Sequence, residues 1–178
     1  MKGDNMSNPL ALDPIAEAQR QWQEHGWTDA ADGMAAITAI MRTQQILLSR
    51  IETVLKQFGL TFARYELLTL LSFTRSGALP MAKASARLQV HPTSVTNAVD
   101  RLEGAGLVRR VGHPTDGRTT LVEITDVGRA RTLAATKELN AKVFATSGFD
   151  DHELAQLNDT LTRFRRNTGD FGVIESVD

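Results

Sequence analysis

The segment Pro92-Thr93-Ser94-Val95-Thr96-Asn97 places three hydroxyls and a carboxamide within six residues, behind a proline suited to the first turn of a helix. Hydroxyls donate to or accept from base edges and phosphates, and a carboxamide can pair with an adenine edge. The same residue types also cap helices with no further purpose, so the neighbourhood has to decide. That neighbourhood is basic. Met81 to Arg131 carries eight Lys and Arg against five Asp and Glu, in a chain of formal net charge −1. Arg101, Arg109, Arg110 and Arg118 lie within it, and a local excess of cations beside a polar helix start is what a polyanion would meet. Catalytic chemistry finds no comparable constellation. The histidines His25, His91, His113 and His152 have no metal-ligand spacing, and no phosphate loop, dinucleotide fingerprint or nucleophile elbow is present. With no cysteine there is no disulfide, no thiolate metal site and no thiol redox switch. Neither an enzyme nor a metal or other cofactor is expected.

The elements that would position these residues are mostly helical. Asp13 caps a short helix to His25, with Pro14 at its first position and Gly26 beyond its end. A long helix runs from Asp32 to Phe58, its apolar residues (Ile37, Ile40, Met41, Leu47, Leu48, Ile51, Val54, Leu55, Phe58) following the 3.6 period, and Gly59 stops it. Thr61 caps the next helix, to about Arg75, and Pro80 begins a short one to Leu88. A tight turn at Gln89, Val90 and His91 leads into the helix opened by Pro92, whose Val95, Ala98, Val99 and Leu102 share one buried face. Leu107 to Val111 and Thr119 to Ile124 read as the two strands of a hairpin around the turn-rich tip His113 to Arg118, and no other segment reads as a strand. Thr125 caps a helix to about Phe144. Asp150 and Glu153 form a capping box for a last helix with the stripe Leu154, Leu157, Leu161 and Phe164.

Two short helices joined by a tight turn and followed at once by a hairpin are the order of a winged helix-turn-helix, in which the second helix enters the major groove. The chain resembles the multiple antibiotic resistance regulator (MarR) family in this region. The resemblance is carried by Ser94-Val95-Thr96, then Val99-Asp100-Arg101-Leu102-Glu103, Gly106-Leu107-Val108-Arg109-Arg110, Asp116-Gly117-Arg118, Leu121 to Ile124, and Thr125-Asp126-Val127-Gly128. With its helical flanks it covers roughly residues 32 to 168. It implies winged subunits that dimerise through their terminal helices, often releasing DNA on binding a small ligand, with Arg118 in or beside the minor groove. Two positions depart from the family pattern: Asn97 stands where most members have Arg, and His91 where they have a serine-like cap. The base preference is therefore expected to differ. The short helix bearing Trp22, with Trp27 after it, is an addition to the minimal fold, and packing across a dimer interface is its simplest use.

These readings define a mainly α fold with a small β-hairpin wing and a helical dimerisation region drawn from both termini. Residues 1–31 form an N-terminal extension, 32–60 with 126–170 the dimerisation region, and 61–125 the DNA-binding unit. The DNA-contacting candidates are Pro92, Thr93, Ser94, Thr96, Asn97, Arg101, Arg109, Arg110, Asp116 and Arg118. Asp116, two residues from Arg118, is expected to orient its guanidinium, and Arg109 or Arg110 to reach phosphate. Met41, Phe58 and Tyr65 are candidates to line an effector pocket. The expected partners are double-stranded DNA with an inverted-repeat operator, a second copy of the chain, and a small aromatic or anionic effector. No run of about eighteen apolar residues suggests a membrane span, and the polar stretch Met1 to Pro9 does not resemble a signal peptide, so a cytoplasmic location is expected. The competing reading is a winged helix turned protein-interaction adaptor, since fold does not fix function; apolar residues in place of the polar helix start, and loss of the wing arginine, would mark it.

Overall fold

The computed structural model describes residues 10–172. The polar stretch Met1 to Pro9, the first part of the 1–31 extension, lies outside the described residues. Helix α1 (Pro14–Glu24) starts where Asp13 accepts a hydrogen bond from the Ile15 N–H at 3.0 Å. Helix α2 (Thr28–Leu55) begins one turn earlier than the apolar period indicated, with Asp29 complementing the positive end of the helix dipole. A 3₁₀ turn at Lys56–Phe58 closes it onto Gly59. The Gln19 side-chain amide donates to Asp32 Oδ1 at 2.8 Å, tying α1 to α2.

Helix α3 (Phe62–Ser72) is capped by Thr61 as expected, but ends three residues short of Arg75. Its last carbonyls are taken by side chains: the Ser72 hydroxyl donates to Thr69 O at 2.7 Å and the Thr74 hydroxyl to Leu71 O at 2.8 Å, the local competition that ends helices at such residues. The chain then forms a strand that the sequence reading did not contain. Strand β1 (Ala78–Pro80) pairs with β3 in the register Ala78↔Glu123, Leu79↔Val122, Pro80↔Leu121. Three residues are too few to show a period, and Pro80, lacking an N–H, is tolerated because β1 is an edge strand. Pro80 accordingly sits at the N-cap position of α4 (Met81–Leu88) and is not its first residue.

Helix α5 (Pro92–Gly104) is followed by β2 (Val108–Gly112) and β3 (Thr120–Ile124), giving an antiparallel sheet of order β1-β3-β2. Gly106, at φ +71°, makes the reversal from helix into strand that a side chain would strain. Helix α6 (Asp126–Leu139) runs on through a π turn, Asn140–Phe144, and α7 (Asp151–Asn167) carries the expected capping box. One core joins these elements: Leu55, Leu67, Leu68, Leu71, Leu102, Leu107 and Leu139 are almost wholly buried. Each such leucine contributes about 2 kcal/mol of burial.

The terminal helices are covered unequally. Ile51 and Leu55 of α2 enter the core, while Ile37, Ile40, Met41 and Ile46 before them are exposed. Helix α7 buries no residue at all, and Phe164 on its stripe is 65% exposed. Along α6 and the π turn that follows it, an apolar groove of about 810 Å³ is lined by Leu133, Ala134, Ala141 and Ala145. Among the described residues no helix is long and apolar enough to cross a membrane.

Candidate nucleic-acid interface

Helix α5 is held from behind and bare in front. Val95, Val99 and Leu102 are buried against the core, whereas Pro92, Thr93, Ser94, Thr96, Asn97 and Arg101 are all exposed. Among the described residues the side chains of Thr93, Ser94, Asn97 and Arg101 make no hydrogen bond or ion pair; the Thr96 hydroxyl donates back to Pro92 O at 3.1 Å. The helix is launched by a well-tied turn. The buried Ser85 hydroxyl donates to Val90 O at 2.6 Å, and His91 Nδ1 accepts from the Thr93 N–H at 3.3 Å, so His91 caps in place of a serine. Ser85 was not singled out from sequence; a serine inside a short helix gives no sign that it reaches across the next turn.

The wing arginines divide by their partners. Arg110 is committed to the body of the domain, its guanidinium bonded to both Asp100 and Glu103 on α5. Arg109 pairs with Glu123 across β2 and β3 at 2.7 Å, and this contact holds the Glu123 carboxyl below the usual carboxylate range. Arg118 is exposed at the tip, and among the described residues its guanidinium has no such partner. The clamp of Asp100 and Glu103 on Arg110 also escaped the sequence reading, because it joins residues seven and ten positions apart across two elements.

Asp116 acts differently from the expectation. It does not engage the Arg118 guanidinium; Oδ1 accepts from the Arg118 backbone N–H at 3.0 Å and Oδ2 from the Thr119 hydroxyl at 2.7 Å. The carboxylate therefore fixes the turn that carries Arg118 and leaves the guanidinium free to point away. The Thr119 hydroxyl first, and then the Arg118 N–H, hold Asp116 below the ordinary aspartate range. A lowered pKa in the folded state means that these bonds contribute fully above the unfolded value and are lost as pH falls through the folded one. Protection of the Arg118 and Thr119 amides from hydrogen exchange, taken relative to the intrinsic rate at each pH, is expected to hold from pH 7 down to about 5 and to show an extra loss only below about 4. Asp116→Asn, which keeps an acceptor and does not titrate, should abolish that extra change; an identical profile in the variant would refute the assignment.

The three effector candidates are not brought together within one chain. Tyr65 is buried and its hydroxyl lies 2.9 Å from Thr136 Oγ1 on α6, Phe58 packs half-buried on the core, and Met41 is 61% exposed. Met41 and Phe58 are seventeen residues apart on nearly continuous helix, about 25 Å along its axis. The expectation was one pocket between the long helix, the Thr61 helix and the DNA-binding part, and within one chain the distance along the helix keeps Met41 away from Phe58. The tryptophans meet at the α1–α2 corner: Trp22 and Trp27 pack edge to face at 5.1 Å and His25 stacks on Trp27 at 5.5 Å.

A helix-turn-helix with its second helix bare on the outer face, and a two-stranded wing presenting one unengaged arginine, define a winged helix-turn-helix protein. Its relatives agree. The sequence pattern of the MarR family matches residues 58–119, and a MarR family transcriptional regulator from Streptomyces coelicolor is 51% identical, with a TM-score of 0.72 over 79% of this chain and 97% of that one. The chain belongs to the MarR family, whose members are transcriptional regulators and not enzymes. YdgJ of Bacillus subtilis, an uncharacterized HTH-type transcriptional regulator, is 32% identical over 112 residues, 61% of this chain and 66% of that protein. CouR from Rhodococcus jostii RHA1, whose structure holds p-coumaroyl-CoA, is 26% identical with a TM-score of 0.62 over 71% of this chain and 88% of CouR. The chain spans about two thirds or less of the length of most of the curated relatives it matches.

Proposed function

We propose that this protein is a sequence-specific double-stranded-DNA-binding transcription repressor, without a catalytic role, that acts in the cytoplasm as a homodimer. The observation that carries the reading is the pairing of an exposed polar α5 face with the exposed Arg118 at the wing tip. Thr93, Ser94 and Asn97 enter the major groove, and Arg118 reaches the minor groove, where narrow stretches concentrate negative potential. Arg101 and Arg109 flank this surface as phosphate contacts, and Asp116 serves it by holding the tip. Arg110, turned onto α5, contributes support and little direct contact.

Residues 32–60 and 126–170 form the dimerisation region, with 61–125 the DNA-binding unit and the Trp22 helix an extension of the former. The uncovered stripes of α2 and α7 and the groove on α6 support this, since contiguous exposed apolar surface marks an interface. A two-fold dimer presents two α5 helices to successive major grooves, so the operator is an inverted repeat with half-site centres about 10 bp apart. Light scattering at micromolar concentration is expected to give a dimer, and gel shifts on the gene's own upstream DNA a complex that random DNA does not compete away. A monomeric protein, or equal binding to both DNAs, would overturn the proposal.

The effector is a small aromatic or anionic molecule. The aromatic acyl-CoA held by CouR is of that chemistry. Because the chain has no cysteine, release works through the spacing of the two α5 helices; a coupling of about 1 to 3 kcal/mol weakens DNA binding roughly 5- to 150-fold. Replacing Asn97 with alanine isolates the base-reading part of the site. It should cost about 1 to 3 kcal/mol on the operator, little on random DNA, and leave the salt dependence unchanged, because a neutral side chain releases no counterion. Equal losses on both DNAs in binding isotherms would remove Asn97 from base readout. An adaptor surface would instead expose apolar residues along α5, and the outer face carries Thr, Ser, Asn and Arg.

A further inference from the structure

Gln89 stands in the turn between α4 and α5 at φ 53° and ψ 38°, and is the one non-glycine residue of positive φ among the described residues. Glycine fits this left-handed backbone without strain and a residue with a Cβ does not, so what the glutamine adds here is its side chain. That side chain bridges two distant parts of the sequence. Gln89 Nε2 donates to the backbone carbonyl of Asp170 at 2.8 Å, joining positions 81 residues apart.

The receiving end is built to be firm. Just past α7, the Asp170 carboxylate accepts from Arg165 Nε at 2.5 Å while the Asp170 N–H donates to the Arg165 carbonyl at 2.9 Å. The Arg165 and Arg166 guanidiniums lie over the ring of Phe171, 5.3 and 5.8 Å from its centroid. Residues 165–171 thus form a knotted end to the helix, with Asp170 and Phe171 half-buried. The donating end is equally defined, since Val90 and His91, tied by Ser85 and capping α5 respectively, follow Gln89 directly. The hydrogen bond thus ties the end of α7 to the turn three residues before Pro92.

We propose that Gln89 is a positioning residue: its hydrogen bond to the end of α7 sets the placement of α5, linking the dimerisation region to the helix that reads DNA. The inference rests on the DNA-binding reading given above. It requires that loss of the bond disturb operator recognition without disturbing the cation-driven binding to arbitrary sequence, because Gln89 bears no charge and its effect is on where α5 lies.

Two replacements separate this role from a local one. Gln89→Met keeps the length of the side chain and the backbone strain and removes the donor; Gln89→Gly removes both. With folding verified by thermal melts, each is expected to weaken operator binding roughly five- to tenfold, the worth of one modest hydrogen bond, and to leave binding to random DNA unchanged. The glycine variant should melt higher than the methionine variant and still bind the operator poorly, whereas a residue serving only its own turn would make glycine the better binder. Phe171→Ala, which loosens the receiving end, should add nothing to Gln89→Met in a double-mutant cycle. Wild-type operator affinity in both Gln89 variants, or additive losses in the cycle, would overturn the coupling. A wild-type protein that does not prefer its operator to random DNA would instead overturn the DNA-binding reading itself.

Discussion

Replacing Arg118 with alanine is expected to weaken operator and random DNA together, by roughly ten- to a hundredfold, and to flatten the dependence of log affinity on log salt by about 1 to 2 units. The size follows from symmetry and charge. Each dimer loses two guanidiniums, and each cation at the phosphates displaces close to one condensed counterion. Because Arg118 is exposed and is presented by a turn that Asp116 fixes through the backbone N–H and the Thr119 hydroxyl, its removal should leave the fold and the melting temperature intact. Arg110→Ala is the informative contrast. It strips Asp100 and Glu103 of their shared partner, so its effect should fall on stability, with a smaller change in salt slope than Arg118→Ala. Isotherms at three salt concentrations on two DNA sequences separate these outcomes; an Arg118→Ala protein with unaltered affinity and slope would mean that the wing does not touch DNA.

The largest effect on stability is expected at Gly128, in the first turn of α6. A Cβ built there lies 2.1 Å from the Leu107 carbonyl oxygen and 2.9 Å from Ile124 Cγ1. The carbonyl cannot withdraw cheaply, since it accepts a hydrogen bond from the Thr125 N–H at 3.0 Å, and the Thr125 hydroxyl, 3.2 Å from it, donates to the neighbouring Gly106 carbonyl at 2.8 Å. The Thr125 side chain also caps the helix by accepting from the Gly128 N–H. Gly128→Ala must therefore push α6 off the hairpin, at a cost of about 3 kcal/mol. For a chain of this size that lowers the melting temperature by about 6 to 12 °C. Gly104→Ala, at the end of α5 where an added Cβ meets nothing within 4 Å, should melt as the wild type does or slightly higher. A Gly128→Ala protein indistinguishable from Gly104→Ala would show that α6 and the hairpin are not locked in this way.

Local chemistry was legible without the fold. Asp13, Thr61, Thr125 and the Asp150–Glu153 box cap the helices expected of them, because a cap is decided by a side chain and a backbone group two or three residues away. The same holds for the buried stripe of α5 and for the hairpin, whose periods are written over enough residues to be read. The polar leading face of α5 followed as the complement of that stripe.

What the tertiary structure decided lies where partners are distant in sequence or where an element is too short to show a period. Strand β1 has three residues and exists because Leu79 docks beside Val122. Arg110 and Arg118 are the same residue type on the same hairpin, yet two carboxylates on α5 engage one while the tip of the wing displays the other. Asp116 turned out to bond a backbone N–H and a hydroxyl, since the tight tip brings those closer than the guanidinium two residues on. Met41 and Phe58 share a helix and not a pocket, because periodicity fixes the direction a side chain faces and says nothing of how far along the axis its neighbours lie. The link from Gln89 to Asp170 crosses 81 residues, and only the packing of the chain could bring its two ends within a hydrogen bond.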